Sequence, residues 1–131
     1  MRRSRASRVR CTTVIAVAIL LASACSGGRT ESIYMAASGG DARRGRQLIF
    51  DAGCGACHRI PGVRGAAGLI GPPLDVFGRR AYIAGRVANK PENLVKWILD
   101  PHTVDPQTVM PRLGLDAQQA RDVAAYLYTL Q

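Results

Sequence analysis

The sequence predicts an all-α domain of short helices and long loops, and three observations carry that expectation. Amphipathic helical segments with start and stop signals recur at 41–53, 91–100 and 116–130, and no stretch alternates as a strand. Between the first two lies a stretch broken by Gly and Pro. The apolar complement is also thin, with two Phe and one Trp in the whole chain. A core that small sets little buried area against the backbone entropy of folding. A large apolar cofactor bound inside the loops would make up the shortfall.

The first residues do not read as part of that domain. Arg2, Arg3, Arg5, Arg8 and Arg10 precede an apolar run from Val14 to Ala22, and small residues follow at Ser23 and Ala24. That is the order of a secretory signal, so residues 1–24 are expected to be a signal peptide. The stretch from Thr12 to Ala24 would reach about 20 Å as a helix, against roughly 30 Å of bilayer hydrocarbon. Cleavage could follow the A-x-A pattern at Ala22-Ser23-Ala24. "LASAC" also has the form of a bacterial lipobox, which explains a cysteine at position 25 and makes Cys25 a candidate lipidation site. The protein is thus expected to be exported to the periplasm and tethered to a membrane. Residues 25–40 are rich in Ser, Gly and Ala and read as a flexible tether. The folded domain is expected over 41–131.

Charge follows the same division. The full chain has 18 basic and 9 acidic residues, a net of +9. Removing the signal leaves 13 basic against 9 acidic residues, a net of +4, scattered along the chain. Nucleic-acid binding would call for a dense basic stripe, and none is present.

In chain order, "DARRGRQLIFDAG" reads as a helix with an acidic start and Gly53 as its stop. Residues 59–90 read as loop. "PENLVKWILD" places Pro91 at the first helical position and Leu94, Trp97 and Ile98 on one face, with Pro101 closing it. Lys90 is a poor N-cap, so that start should fray or be capped otherwise. "DPQTVMPRLG" is loop again. The last helix runs from about Asp116 to Leu130, with Val123, Ala124, Leu127 and Leu130 at three- and four-residue steps.

The chemistry is concentrated in "DAGCGACHRIPG". After export only Cys54 and Cys57 remain as ordinary cysteines, and a disulfide between residues three apart would staple almost nothing. A thioredoxin-like dithiol would sit where a strand enters a helix, and here a helix precedes Cys54. A zinc site would need a second ligand pair, and the other histidine, His102, stands alone in "DPHTVDP". Haem attachment uses every part: two thiols spaced to add to two porphyrin vinyl groups, with His58 behind them as the iron's proximal ligand. The sixth iron position could be filled by Met110, His102, Met35, water or nothing. Met110 fits best, because it lies in a Pro-bounded loop 52 residues after His58, apart from the helical stripes.

Taken together, "GCGACH", "GPPLDVFGRR", "PENLVKWILDP", "PQTVMPRLG" and the closing "AAYLYTL", in that order, resemble a mono-haem class I cytochrome c in exported lipoprotein form. The resemblance covers most of 41–131. It implies the class I cytochrome c fold and one covalent haem c, with Cys54 and Cys57 as thioethers and His58 and Met110 as the axial pair. It further implies that the Pro72 carbonyl accepts the proximal histidine's ring N–H. Leu74, Trp97 and Ile98 would pack the haem, Arg79 and Thr108 would bond its propionates, and Gly45 and Tyr126 would sit at a close crossing of first and last helices. No tryptophan lies between Phe77 and Leu94 to hold a propionate, and Tyr82 is the candidate substitute.

The expected function is one-electron transfer between redox proteins that offer acidic docking patches, with no small-molecule substrate and no nucleic acid. The alternatives are a five-coordinate haem sensor or peroxidase, in which Met110 only packs, and a haem-free thiol oxidoreductase using Cys54 and Cys57.

Overall fold

A computed structural model describes residues 38–131. The expected signal peptide (1–24), the candidate lipidation site Cys25, Met35 and all but the end of the expected tether lie outside the described residues. Three helices carry the fold: α1 (Ala42–Asp51), α2 (Pro91–Leu99) and α3 (Ala117–Leu127), with single 3-10 turns at Cys54–Ala56, Phe77–Arg79 and Pro101–Thr103. Among the described residues no helix is long and apolar enough to cross a membrane.

Each helix forms for local reasons. At α1 the Asp41 carboxylate accepts from the backbone N–H groups of Arg43 and Arg44, two of the donors a helix start leaves unsatisfied. Gly53, at φ +72°, turns the chain out after the last residue of α1. At α2 Lys90 gives no side-chain cap. The start is held instead by Pro91 at the first position and by the Asn93 amide, which donates to the Ala88 carbonyl at 3.0 Å. At α3 Asp116 and Gln119 form a reciprocal capping box. This helix ends at Leu127, three residues before the position its apolar spacing suggested, and tightens into a final turn in which Leu130 N–H donates to the Leu127 carbonyl. Such a turn keeps the helical side-chain spacing.

The helices α1 and α3 cross at Gly45. A Cβ there would lie 1.9 Å from the Asp122 carbonyl oxygen, so only glycine lets the backbones approach this closely. Asp122 itself is 3% exposed. Its carboxylate accepts from Arg44 Nε at 2.8 Å, Arg44 Nη2 at 3.0 Å, the Asp41 N–H at 2.8 Å and the Gln118 amide at 3.1 Å. Charged donors on one side of a buried carboxylate hold its pKa down, to about 2, with the Arg44 guanidinium the largest cause. Packing on α3 starts before Asp41: Ser38 is buried, and the Gly39 carbonyl accepts from Gln118 Nε2 at 3.2 Å.

One short antiparallel hairpin departs from the strand-free expectation, pairing β1 (Tyr82–Ile83) with β2 (Val87–Ala88). Two residues per strand are too few to produce an alternating pattern in sequence. The turn holds Ala84 at φ +50° and Gly85 at φ +68°, the left-handed region that tight hairpins demand. Asn89 ties this hairpin to its surroundings. Its amide donates to the Phe77 and Arg80 carbonyls at 3.1 and 3.0 Å, and its oxygen accepts from the Tyr128 hydroxyl at 3.0 Å. The core gathers Ile49, Ile60, Phe77, Ile83, Leu94, Ile98, Val123, Leu127 and Tyr128.

Candidate haem site

A cavity of about 690 Å³ opens inside these elements, a size usual for cofactor sites. Its apolar walls include Ile49 from α1, Leu74 and Phe77 from the long loop, Leu94 and Ile98 from α2, and Val123 and Leu127 from α3. Set into this apolar lining are Cys54, Cys57, His58 and Met110. The chain thus brings two free thiols, one imidazole and one thioether to a single chamber.

The loop carrying the cysteines is fixed by backbone contacts. After Gly53 the chain makes one 3-10 turn, and the His58 N–H returns to the Cys54 carbonyl at 3.0 Å. The returning segment clips on through Gly68 N–H to the Gly55 carbonyl at 3.0 Å and Gly71 N–H to the Cys57 carbonyl at 2.8 Å. Gly71 passes so close over the imidazole that a Cβ would lie 2.3 Å from His58 Cε1. The His58 ring is then oriented from its far side, where Nδ1 lies 2.8 Å from the Pro72 carbonyl oxygen. A carbonyl can only accept, so Nδ1 carries the proton and Nε2 keeps its lone pair for another partner.

Of the other residues singled out in the sequence, Pro72, Leu74, Trp97, Ile98, Thr108 and Tyr82 line the cavity. The Thr108 hydroxyl accepts from the Met110 N–H at 3.2 Å, which steadies the methionine loop. Arg79 is absent from the lining and its neighbour Arg80 takes that place, because the 3-10 turn at Phe77–Arg79 rotates successive side chains by about a third of a turn. Arg80 lies over the Phe77 ring, its Cζ 5.7 Å from the centroid, and donates to the Pro73 carbonyl. His102 is exposed on the 3-10 turn after α2 and does not reach the chamber. Tyr126 sits beyond the Gly45 crossing and donates its hydroxyl to the Pro61 carbonyl at 2.6 Å, latching the loop that follows the cysteines.

Two residues of consequence were not anticipated, Arg80 and Asp122. Nothing in "GRR" distinguishes its two arginines. Asp122 had a visible signal, an acid directly before Val123 and Ala124 of the apolar stripe.

These contents decide between chemistries. Burial pushes the Cys54 thiol above its ordinary pKa, whereas a redox dithiol needs an easily formed thiolate. A zinc site would need a second ligand pair beside Cys54, Cys57 and His58, and the chamber's lining adds no further His or Cys. A covalent haem fits the donor set: thiols for two vinyl groups, a nitrogen lone pair held in fixed orientation, a thioether, and an apolar enclosure for the porphyrin.

Comparison with known proteins gives the family. The family model for cytochrome c matches residues 42–131. Cytochrome c oxidase subunit 2 of Alkalihalophilus pseudofirmus is 36% identical over 91 residues, which is 69% of this chain and 26% of that protein. Cytochrome c oxidase subunit 2 of Bacillus sp. strain PS3 is 34% identical over 89 residues, covering 65% of this chain and 25% of the relative. The Bacillus subtilis subunit is 35% identical over 72 residues, covering 53% and 20%. The chain therefore spans about a quarter or less of the length of these relatives. With a family match over most of its length and a chamber furnished for the cofactor, this chain belongs to the cytochrome c family, whose domain carries covalently bound haem c and serves haem-based electron transfer.

Proposed function

We propose that the protein is a one-electron carrier with His58 and Met110 as the axial iron ligands and Cys54 and Cys57 as the thioether anchors. The observation that carries this reading is the meeting of those four side chains in one apolar chamber, with His58 Nδ1 tied to the Pro72 carbonyl. When bound, the haem supplies an iron centre that cycles between two oxidation states. The chain's own residues do the rest. The Pro72 carbonyl fixes the imidazole tautomer and the orientation of the ring. Met110 would hold the haem iron through a neutral thioether, which would favour the reduced state and keep oxygen and peroxide away. The apolar walls exclude water and disfavour the extra charge of the oxidised centre.

The mature net charge of +4 supports transient docking on acidic partner surfaces, with association that weakens as salt rises. Likeness to three cytochrome c oxidase subunits 2 supports an oxidase as the electron acceptor. The basic, apolar and small-residue order of residues 1–24, with Cys25 after it, supports export and lipid tethering at a membrane. Mass spectrometry of the mature N-terminus tests the last point: a diacylglyceryl adduct on Cys25 is expected, and an unmodified terminus contradicts it.

The ligand assignment is tested by carbon monoxide binding to the reduced protein. The wild type should resist the gas and Met110→Ala should take it up readily. A wild type that binds carbon monoxide at once would favour the five-coordinate sensor reading instead.

A further inference from the structure

A second concavity, of about 340 Å³, lies on the outer side of α1 and shares no lining residue with the haem chamber. It is lined by Arg43, Arg46, Gln47, Phe50, Val63 and Arg64. The α1 residues recur at three- and four-residue steps, so one stripe of the helix forms one wall. Val63 and Arg64, from the loop after the cysteines, form the other.

Positive charge is concentrated here, and the acids near it, Asp41 and Asp51, form no close ion pair with the three arginines that line the hollow. Arg44, Arg59, Arg86 and Arg112 each pair with an aspartate, whereas no such ion pair is formed by Arg43, Arg46 or Arg64 among the described residues. The two acids of this end of the fold make other contacts: Asp41 caps the helix, and Asp51 accepts at 2.8 Å from the amide of Gln47, itself a lining residue. The arginines are also held in place. Arg64 lies over the Phe50 ring, its Cζ 5.1 Å from the centroid, and Arg46 donates to the Gly62 carbonyl. Three guanidiniums around one hollow repel one another, and an anion seated among them reverses the sign of that energy.

We propose that this cleft binds a phosphate ester, with the phosphoryl oxygens held by the guanidinium forks and the organic carrier lying on Phe50 and Val63. Phosphate fits better than carboxylate because a tetrahedral group offers acceptor oxygens in more directions than a planar one, and three donors converge from two sides. The hollow also falls within the size range of small-molecule sites. An ester on a lipid headgroup and one on a soluble carrier share this chemistry.

The test uses the complete haem-bound protein beside Arg43→Gln/Arg64→Gln, both exposed positions, and Lys96→Gln on α2 as a charge control. Backbone amide shifts are followed during titration with glycerol 3-phosphate, and with sodium chloride at matched ionic strength. Sedimentation with phosphatidylglycerol and phosphatidylcholine vesicles runs in parallel. The proposal expects saturable shifts confined to residues 43–50 and 62–65, produced by the phosphate and not by chloride. It expects the double variant to bind at least about tenfold more weakly and Lys96→Gln to bind as the wild type does. Glycerol 3-phosphate binding joined by selective sedimentation with phosphatidylglycerol points to a lipid headgroup. Glycerol 3-phosphate binding without sedimentation points to a soluble ester. Shifts that do not saturate, that chloride reproduces, or that survive in the double variant overturn the site, and so does vesicle binding that Lys96→Gln weakens equally.

Discussion

Replacing Asp122 by Asn removes the charge at the α1–α3 crossing while keeping the side chain's shape. In the folded protein the carboxyl has a pKa of about 2 against 3.8 ordinarily, chiefly because of its hydrogen-bonded Arg44. A pKa depressed on folding means that the ionised form is favoured by the native state. At about 1.4 kcal/mol per pH unit, this gap is worth roughly 2 kcal/mol above the unfolded pKa of 3.8. That contribution is whole at neutral pH, shrinks as pH falls below 3.8, and is gone once pH passes about 2. Screening of the exposed Arg44 trims it, because exposed charges interact weakly. An asparagine also leaves one of its two terminal atoms a donor facing the donors of Arg44 and Asp41, which adds to the loss. Asp122→Asn should therefore unfold about 2 kcal/mol more easily at pH 7, a fall of roughly 8–16 °C in Tm for a domain of this size. The variant should approach wild-type stability near pH 2. Guanidinium melts monitored by circular dichroism at pH 7, 4 and 2.5 measure both. Equal stabilities at pH 7, or a difference that stays constant down to pH 2.5, would refute the assignment of this carboxylate as the crossing's electrostatic clasp.

Two further substitutions probe backbone approach. Gly45→Ala should cost about 1–3 kcal/mol, since its Cβ would lie 1.9 Å from a backbone oxygen and α1 and α3 must separate; a thermal melt unchanged from wild type would contradict that crossing. Gly71→Ala should push the His58 ring off the Pro72 carbonyl, because its Cβ would lie 2.3 Å from Cε1. A changed reduction potential and altered proximal-histidine resonances are expected there, at nearly unchanged helix content, and an unmoved potential would sink the argument.

Much of this was legible in the residues because the signals were local. Asp41 and Asp116 announce helix starts, Pro91 a first turn, Gly53 a left-handed exit, and each depends on neighbours within four positions. The loop that brings Cys54, Cys57 and His58 to the chamber was equally legible, since the three lie within five residues. What stayed hidden depends on long-range geometry. The carboxylate of Asp122 meets Arg44 across 78 positions, and no pattern in either helix states that partner. Arg80 rather than Arg79 reaches the chamber because of the phase of one 3-10 turn. The hairpin at Tyr82–Ala88 escaped notice because its strands have only two residues each, held by Asn89 rather than by an apolar alternation. The cleft on α1 was invisible for a similar reason: Arg64 joins Arg43 and Arg46 only after the loop folds back.

The most direct test of the central claim is the visible spectrum of the matured protein, read with and without Met110. Wild type should show a covalent c-type haem in alkaline pyridine and, when oxidised, the red-region charge-transfer band of a methionine–iron bond. In Met110→Ala the pyridine spectrum should persist and that band should vanish. A colourless protein would contradict haem carriage, and a band that survives the substitution would assign the sixth ligand to another side chain.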